Sequence, residues 1–283
     1  MTGLEIPGRR PLLLEEAAKL PAFARRDLLV AWSYRFAFFT DALSLLLQAF
    51  LFYFVGLLVD QSKLPEIGGS PVSYMEFVVV GIALAAFVQI GLGRVSMAMR
   101  REQMLGTLEA ILATPTSPST IQLGSVVYDL LYVPLRTGLF LALVAVGFGL
   151  DFNVGGILPA TLVVLAFIPF VWGLGLISAA GTLTFRGGST GVGVGLTIMT
   201  LGSGAYFPLE LLPGWVETVA RVNPMAIAID GMREPLLGTV DWMESLQHLL
   251  TLAPIAAVSL TIGIVAFRIA LQRERRRGTL GLY

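Results

Sequence analysis

The sequence predicts an all-α membrane protein. It should have six transmembrane helices, an N-terminal interfacial helix, a short helix in the long connection after the second span, and an outer re-entrant helical hairpin before the last span. Three observations carry this. The 283-residue chain is 55% hydrophobic and only 13% charged, with a mean hydropathy of +0.80, whereas a soluble domain carries about 25% charged residues. Apolar runs of the roughly 20 residues needed to cross a bilayer recur six times. The Lys and Arg residues between those runs concentrate in alternate connections.

Residues 1–35 form an N-terminal segment. Its start, "MTGLEIPGRRPLLLEEAAKL", has no long apolar core and no small-residue cleavage site, so it is not expected to be a cleavable signal. Within residues 12–35, Leu20, Ala24, Leu28 and Trp32 recur near helical spacing, with Arg25 and Arg26 on another face. Such a helix lies in the headgroup plane.

The transmembrane domain covers residues 36–270. Its spans are expected at Phe36–Val59, Tyr74–Met99, Ile121–Leu150, Ile157–Phe185, Gly191–Phe207 and Leu249–Ala270. Pro134 should kink the third span. Gly173, Gly175 and Gly181 in the fourth, with Gly191, Gly193 and Gly195 in the fifth, should allow helices to approach closely. A basic tail follows at 271–283. Arg9, Arg10, Lys19, Arg25, Arg26, Arg35, Arg94, Arg100, Arg101, Arg186, Arg268, Arg273, Arg275, Arg276 and Arg277 fall on one side if the spans alternate, against Lys63, Arg221 and Arg233 on the other. Both termini are therefore expected to be cytoplasmic.

Two elements are neither spans nor plain loops. Residues 100–116 are polar and too short to cross, yet Met104, Leu105, Leu108, Ile111 and Leu112 make an apolar stripe at helical spacing. Pro115 and Pro118 end it. A cytoplasmic amphipathic helix suits a groove on a partner protein, or the membrane surface. Residues 208–236 form the outer hairpin. Pro213 and Pro224 read as first-turn helix prolines, Asn223 as an N-cap, and the two helices should be about ten residues each. Their apolar faces (Trp215, Val216 and Val219; Met225, Ile227 and Ile229) should dip into the outer leaflet under cover of a packed bundle.

Several chemistries are excluded. No GxxxxGK[ST] motif is present, so this chain cannot itself hold ATP in a phosphate-binding loop. There is no cysteine and one histidine, His248, so thiolate and imidazole clusters are ruled out. No nucleophile elbow, zinc spacing or paired-carboxylate site is visible, and no enzyme activity or metal is expected of the chain. Zero net charge argues against a nucleic-acid partner.

The informative residues are polar groups inside spans, where an ionisable side chain costs roughly 2.5–3.5 kcal/mol at the centre. Asp41, Ser44 and Gln48 share one face of the first span, and Gln89 lies in the second. Gln122, Ser125, Asp129, Tyr132 and Arg136 stripe the third. They either line a translocation path or form a network that pins helices together. Asp129 and Arg136 are about 10 Å apart along the axis, so they meet only through an extended Arg side chain or a neighbouring helix.

"RREQMLGTLEAILATPTSPSTIQLG" resembles the first cytoplasmic loop of the ABC type-2 export permeases, through Glu102, Gly106, Thr107, Leu108, Glu109, Thr114, Pro115 and Gly124. "GAYFPLELLPGWVETVARVNPMAIAIDGMRE" is similar to that family's outer segment, through Phe207, Pro208, Leu212, Pro213, Trp215, Asn223, Pro224 and Arg233. With six spans and no nucleotide motif, the likeness covers nearly the whole chain. It implies a multi-pass protein of a bacterial-type plasma (inner) membrane, acting as a dimer with a second, identical or related permease. It implies two copies of a separate ABC ATPase subunit, which would use ATP and Mg; this chain would bind no cofactor. Arg100, Arg101, Glu102, Leu105, Gly106, Thr107, Leu108, Glu109, Leu112, Thr114 and Pro115 would form the coupling helix in a cleft of that ATPase. The paired outer hairpins would close the exit. Family members export drugs, lipids, lipid-linked glycans and other amphiphiles, which makes membrane lipid a further partner. Two other readings stand beside this one: a self-contained secondary transporter or channel using Asp41, Asp129 and Arg136, for which no internal repeat is seen, and an intramembrane lipid enzyme, for which no catalytic set is seen.

Overall fold

Side-chain caps start the main helices where the sequence supplies them. Ser73 and Glu76 form a reciprocal capping box: Ser73 N and Oγ each donate to Glu76 Oε2 at 2.8 Å, and Glu76 N donates to Ser73 Oγ at 3.2 Å. Asp241 Oδ1 accepts from Met243 N at 2.8 Å to begin the last helix. The computed structural model describes residues 18–33, 35–60, 64–67, 69, 71–104, 118–184 and 188–277.

Among these residues the chain is all-helical. The α-helices are α1 (Leu20–Ser33), α2 (Arg35–Gly56), α3 (Tyr74–Met104), α4 (Pro118–Phe148), α5 (Ile157–Thr184), α6 (Gly188–Leu201), α7 (Gly214–Arg221), α8 (Pro224–Leu237) and α9 (Trp242–Arg277). Three segments are long and apolar enough to cross a membrane: Tyr74–Val95 in α3, Val154–Thr184 including α5, and Trp242–Arg273 in α9. Shorter apolar helical stretches occupy Leu43–Gly56, Tyr132–Phe148 and Gly191–Leu201, in α2, α4 and α6.

Several boundaries differ from expectation. The fifth apolar run is helical only to Leu201, not to Phe207, because residues 202–207 turn sharply with Gly204 at φ 70°. The last helix begins seven residues before Leu249, at the Asp241 cap, and runs to Arg277. Its 36 residues give a length of about 54 Å, well beyond a hydrocarbon core of about 30 Å. The hairpin helices have 8 and 14 residues rather than ten each. Pro213 is the N-cap of α7 rather than its first helical residue, while Pro224 does open α8. The helix expected at 100–116 lies mostly outside the described residues; its first part, Arg100–Met104, continues α3.

α3, α5, α8 and α9 enclose the core. Val78, Val79, Val80, Ile82, Leu84 and Val88 of α3 meet Val163 and Phe167 of α5, Met225 and Ile229 of α8, and Leu252 of α9. α5 and α9 make the most extensive helix pair. They touch backbone to backbone: a Cβ on Gly173 would strike the Ser259 main chain, and one on Gly263 would strike Gly173. Ser259 Oγ also donates to Phe170 O at 3.1 Å. Small residues at a crossing let dispersion act over the whole contact, which suits a solvent in which apolar burial gives no drive. Gly175 likewise receives Val95 of α3. Among the described residues nothing lies within 4 Å of a Cβ built on Gly191, Gly193 or Gly195.

The exposed surface is apolar where the helices face outward. Among the described side chains of α2, Leu45 and Ala49 are buried and Phe36, Phe39, Leu43, Leu47, Phe50 and Phe54 are exposed. α9 exposes Leu250, Val258, Ile262, Val265 and Ile269. Continuous apolar exposure of this extent belongs to a lipid-facing surface or to an interface.

Candidate functional site: the junction around α8

α8 is the element around which the other helices are tied. Its apolar side chains do not project into surrounding lipid. Met225, Ala226, Ala228, Ile229, Met232 and Leu236 are buried against α3, α5 and α9. Only the α7 half of the hairpin leaves its apolar face open, with Trp215 76% and Val219 65% exposed.

Two asparagines fix the ends of α8. At the start, Asn223 Oδ1 accepts from Met225 N at 3.0 Å. The same side chain donates through Nδ2 to Met199 O at 2.6 Å and to Gly202 O at 3.0 Å. These are carbonyls at the end of α6, which have no partner further along their own helix. One residue therefore caps two helices and stops α6 where it stops. At the far end, Asn153, which precedes α5, donates from its backbone N to Leu236 O at 2.8 Å and from Nδ2 to Gly238 O at 3.0 Å.

Arg233 ties the middle of α8 to two other elements. It is only 4% exposed. Nε donates to Phe77 O of α3 at 3.0 Å, and Nη2 donates to Gly204 O at 2.8 Å and Ala205 O at 3.3 Å in the turn after α6. Its guanidinium carbon sits 3.7 Å from the Phe77 ring centroid, within cation–π range. The planar fork suits several acceptors at once, as a lysine ammonium would not. The acidic neighbour, Asp230, is 47% exposed and 3.7 Å from Nη1, beyond hydrogen-bond distance. Burial pushes the guanidinium down to about 10, with Asp230 opposing the shift, so Arg233 is still charged near neutral pH. Three carbonyl oxygens accept directly from the guanidinium, and the Asp230 carboxylate adds an opposing charge.

The turn that Arg233 grips is itself seated on α3. A Cβ at Gly81 would collide with the Ala205 main chain, so the turn lies directly on the α3 backbone. Tyr74 Oη donates to Tyr206 O at 3.0 Å. The Tyr206 ring stacks on Phe52 of α2 with centroids 5.4 Å apart and planes 7° apart. The junction thus links α2, α3, α6 and α8.

The structure brings together part of the sequence-derived set. Asn223, Pro224, Phe207, Pro208 and Arg233 meet at this junction, with Pro208 buried, while Pro213 and Trp215 are exposed at α7. Tyr74, Phe77, Gly204, Ala205, Tyr206, Asn153, Glu234 and His248 belong to it and were not anticipated. The glycine pair in "LGSGAYF" was the one available signal of the turn. Of the intramembrane polar residues, Asp41, Ser44 and Gln48 are carried by α2, Gln89 by α3, and Ser125, Asp129, Tyr132 and Arg136 by α4. Ser44 and Gln89 are exposed and Gln48 is half-buried. Arg136 is buried, and Tyr132 takes the Arg94 guanidinium over its ring at 4.8 Å from the centroid. Arg100, Arg101 and Glu102 lie in the last turns of α3; Leu105, Gly106, Thr107, Leu108, Glu109, Leu112, Thr114 and Pro115 lie outside the described residues.

No curated protein matches the chain. The family model described as ABC-2 type transporter matches residues 19–237, from α1 through α8 and so including the whole junction. Members of this family are multi-pass membrane subunits of ABC transporters and normally work with an ABC ATPase. The chain belongs to the ABC-2 type transporter family and is the transmembrane subunit of an ABC transporter.

Proposed function

We propose that this chain is the membrane half of an ATP-driven exporter that moves an amphiphile, such as a drug, a lipid or a lipid-linked molecule, out of the cytoplasm or the inner leaflet. The family match over residues 19–237 carries the reading. ATP is hydrolysed with Mg by two copies of a separate subunit. α2, α4 and α6 cross the membrane with α3, α5 and α9, both termini are cytoplasmic, and a second permease copy or a related permease completes the path. The largely apolar helices favour an amphiphile over a small hydrophilic ion.

Three groups of residues have distinct roles. Arg100, Arg101, Glu102 and residues 105–115 form the coupling helix that receives the ATPase stroke. Asp41, Ser44, Gln48, Gln89, Ser125, Asp129, Tyr132 and Arg136 line the path or brace it. The α8 junction is the outer gate: a plug of buried helix tied by Asn223 and Arg233 to the turn after α6 and to α3. What supports the gate role is that one rigid element holds several helices at a single level.

The coupling role is tested by replacing Leu108 or Leu112 with Glu, or Glu109 with Lys, and purifying the chain from a membrane that holds its ATPase. The expected result is loss of the ATPase from the purified complex with the permease still folded. Retention of the ATPase in all three variants would sink the coupling role.

A further inference from the structure

The proposed plug has a second tie, of a different kind. Arg233 holds α8 to α3 and the turn through carbonyl groups, which do not titrate. On its other side α8 meets α9, where Glu234 Oε2 and His248 Nε2 are 2.7 Å apart. The two side chains are 28% and 19% exposed in the single chain. The α8–α9 seam around them is tight. A Cβ at Gly231 would lie 3.1 Å from His248 Cβ and Cγ and 3.2 Å from Val163 Cγ2 of α5. His248 is the chain's one histidine.

We propose that His248 is a positioning residue that latches the plug to α9 through Glu234 and makes its closure depend on the proton concentration outside. The inference rests on the outer-gate reading above. With neutral imidazole, Nε2–H donates to a carboxylate. With imidazolium the same contact becomes an ion pair, and a charge-assisted bond is about twice as strong as a neutral one. The charged groups around the contact are Glu234 and Asp230 on α8 and Asp241 and Glu244 at the start of α9; α5 presents Val163, which is apolar. Arg233 is turned toward α3. Glu234 is the group in direct contact with the imidazole; burial pushes the Asp230 carboxyl up to about 6, so its charge fades at the acidic end of the range. The latch is tightest with the imidazolium, at acidic outer pH, and loosens as the imidazole loses its proton.

The absence of cysteine from the chain makes the test clean. Val163→Cys is introduced at the buried seam of the permease in its complex with the ATPase, reconstituted in liposomes. A membrane-impermeant methanethiosulfonate is applied from the outer side during ATP turnover, at outer pH 6 and pH 8. Labelling of the same thiol in a Val163→Cys/His248→Gln background corrects for thiol reactivity, because Gln keeps a donor but does not titrate. The corrected rate should rise about fivefold from pH 6 to pH 8 with His248 present, and Glu234→Gln should abolish the rise. Identical pH profiles with and without His248 would overturn the latch. If turnover raises labelling in no variant, the gate reading itself fails and the latch with it. Should Val163→Cys fail to assemble, ATP hydrolysis at fixed cytoplasmic pH and stepped outer pH carries the test. The cysteine-free parent should slow severalfold at pH 6 and His248→Gln should not; equal responses overturn the proposal.

Discussion

Arg233 separates two ideas about what holds the junction. If a positive charge is what matters, Arg233→Lys should be mild and Arg233→Met severe. The geometry predicts the reverse order. Gly204 O and Ala205 O both accept from Nη2, while Phe77 O lies within the helical ladder of α3. A buried acceptor left without a donor costs roughly 1–3 kcal/mol, so losing both turn carbonyls costs about 2–6 kcal/mol in the methionine variant. Methionine also removes a buried cation, whose desolvation penalty is several kcal/mol, and this offsets much of the loss. Lysine offers no such relief. Its ammonium is still buried, reaches fewer of the carbonyls, and gives up the planar stacking on Phe77, worth about 1–2 kcal/mol when desolvated. The lysine variant should therefore be about 2 kcal/mol or more less stable than the methionine variant. Thermal unfolding of the purified permease, followed by size-exclusion fluorescence, measures the order. A lysine variant that melts with the parent, or above the methionine variant, would refute the carbonyl-clamp account.

Other consequences follow from the same geometry. Asn223→Asp keeps the acceptor that caps α8 but loses both donors to α6. It should cost more than the roughly 1 kcal/mol of a lost N-cap, and hydrogen exchange at the C-terminal end of α6 should speed up before that in α8. Gly173→Ala and Gly263→Ala each place a methyl against main chain at the α5–α9 crossing and should destabilise by about 1–3 kcal/mol. Gly193→Ala, with open space around it among the described residues, should leave the isolated permease's melting temperature unchanged.

Local chemistry was the most legible part of the sequence. Asn223 followed by Pro224 announces a helix start because both signals act within three residues, and the structure has that start. Three of the apolar runs are helices long enough to cross a membrane, and these are legible because lipid imposes length and hydrophobicity directly. What could not be read were contacts whose partners carry no side-chain identity. The carbonyls of Met199, Gly202, Gly204 and Ala205 look alike in any sequence, yet they decide where α6 ends and what Arg233 binds. Met225 and Ile229 are apolar in the same way whether lipid or protein covers them, so the burial of α8 inside the bundle was not foreseeable from composition. The Glu234–His248 contact joins two helices across fourteen residues and follows no periodicity.

The central claim is that this permease moves its substrate only when a separate ATPase drives it. The most direct measurement reconstitutes the chain in liposomes with and without its co-purified ATPase and follows ATP hydrolysis together with movement of a fluorescent amphiphile. Neither hydrolysis nor directed movement is expected from the chain alone, and ATP-dependent movement away from the nucleotide side is expected from the complex. Accumulation of the amphiphile by the chain alone under a proton or sodium gradient would contradict it.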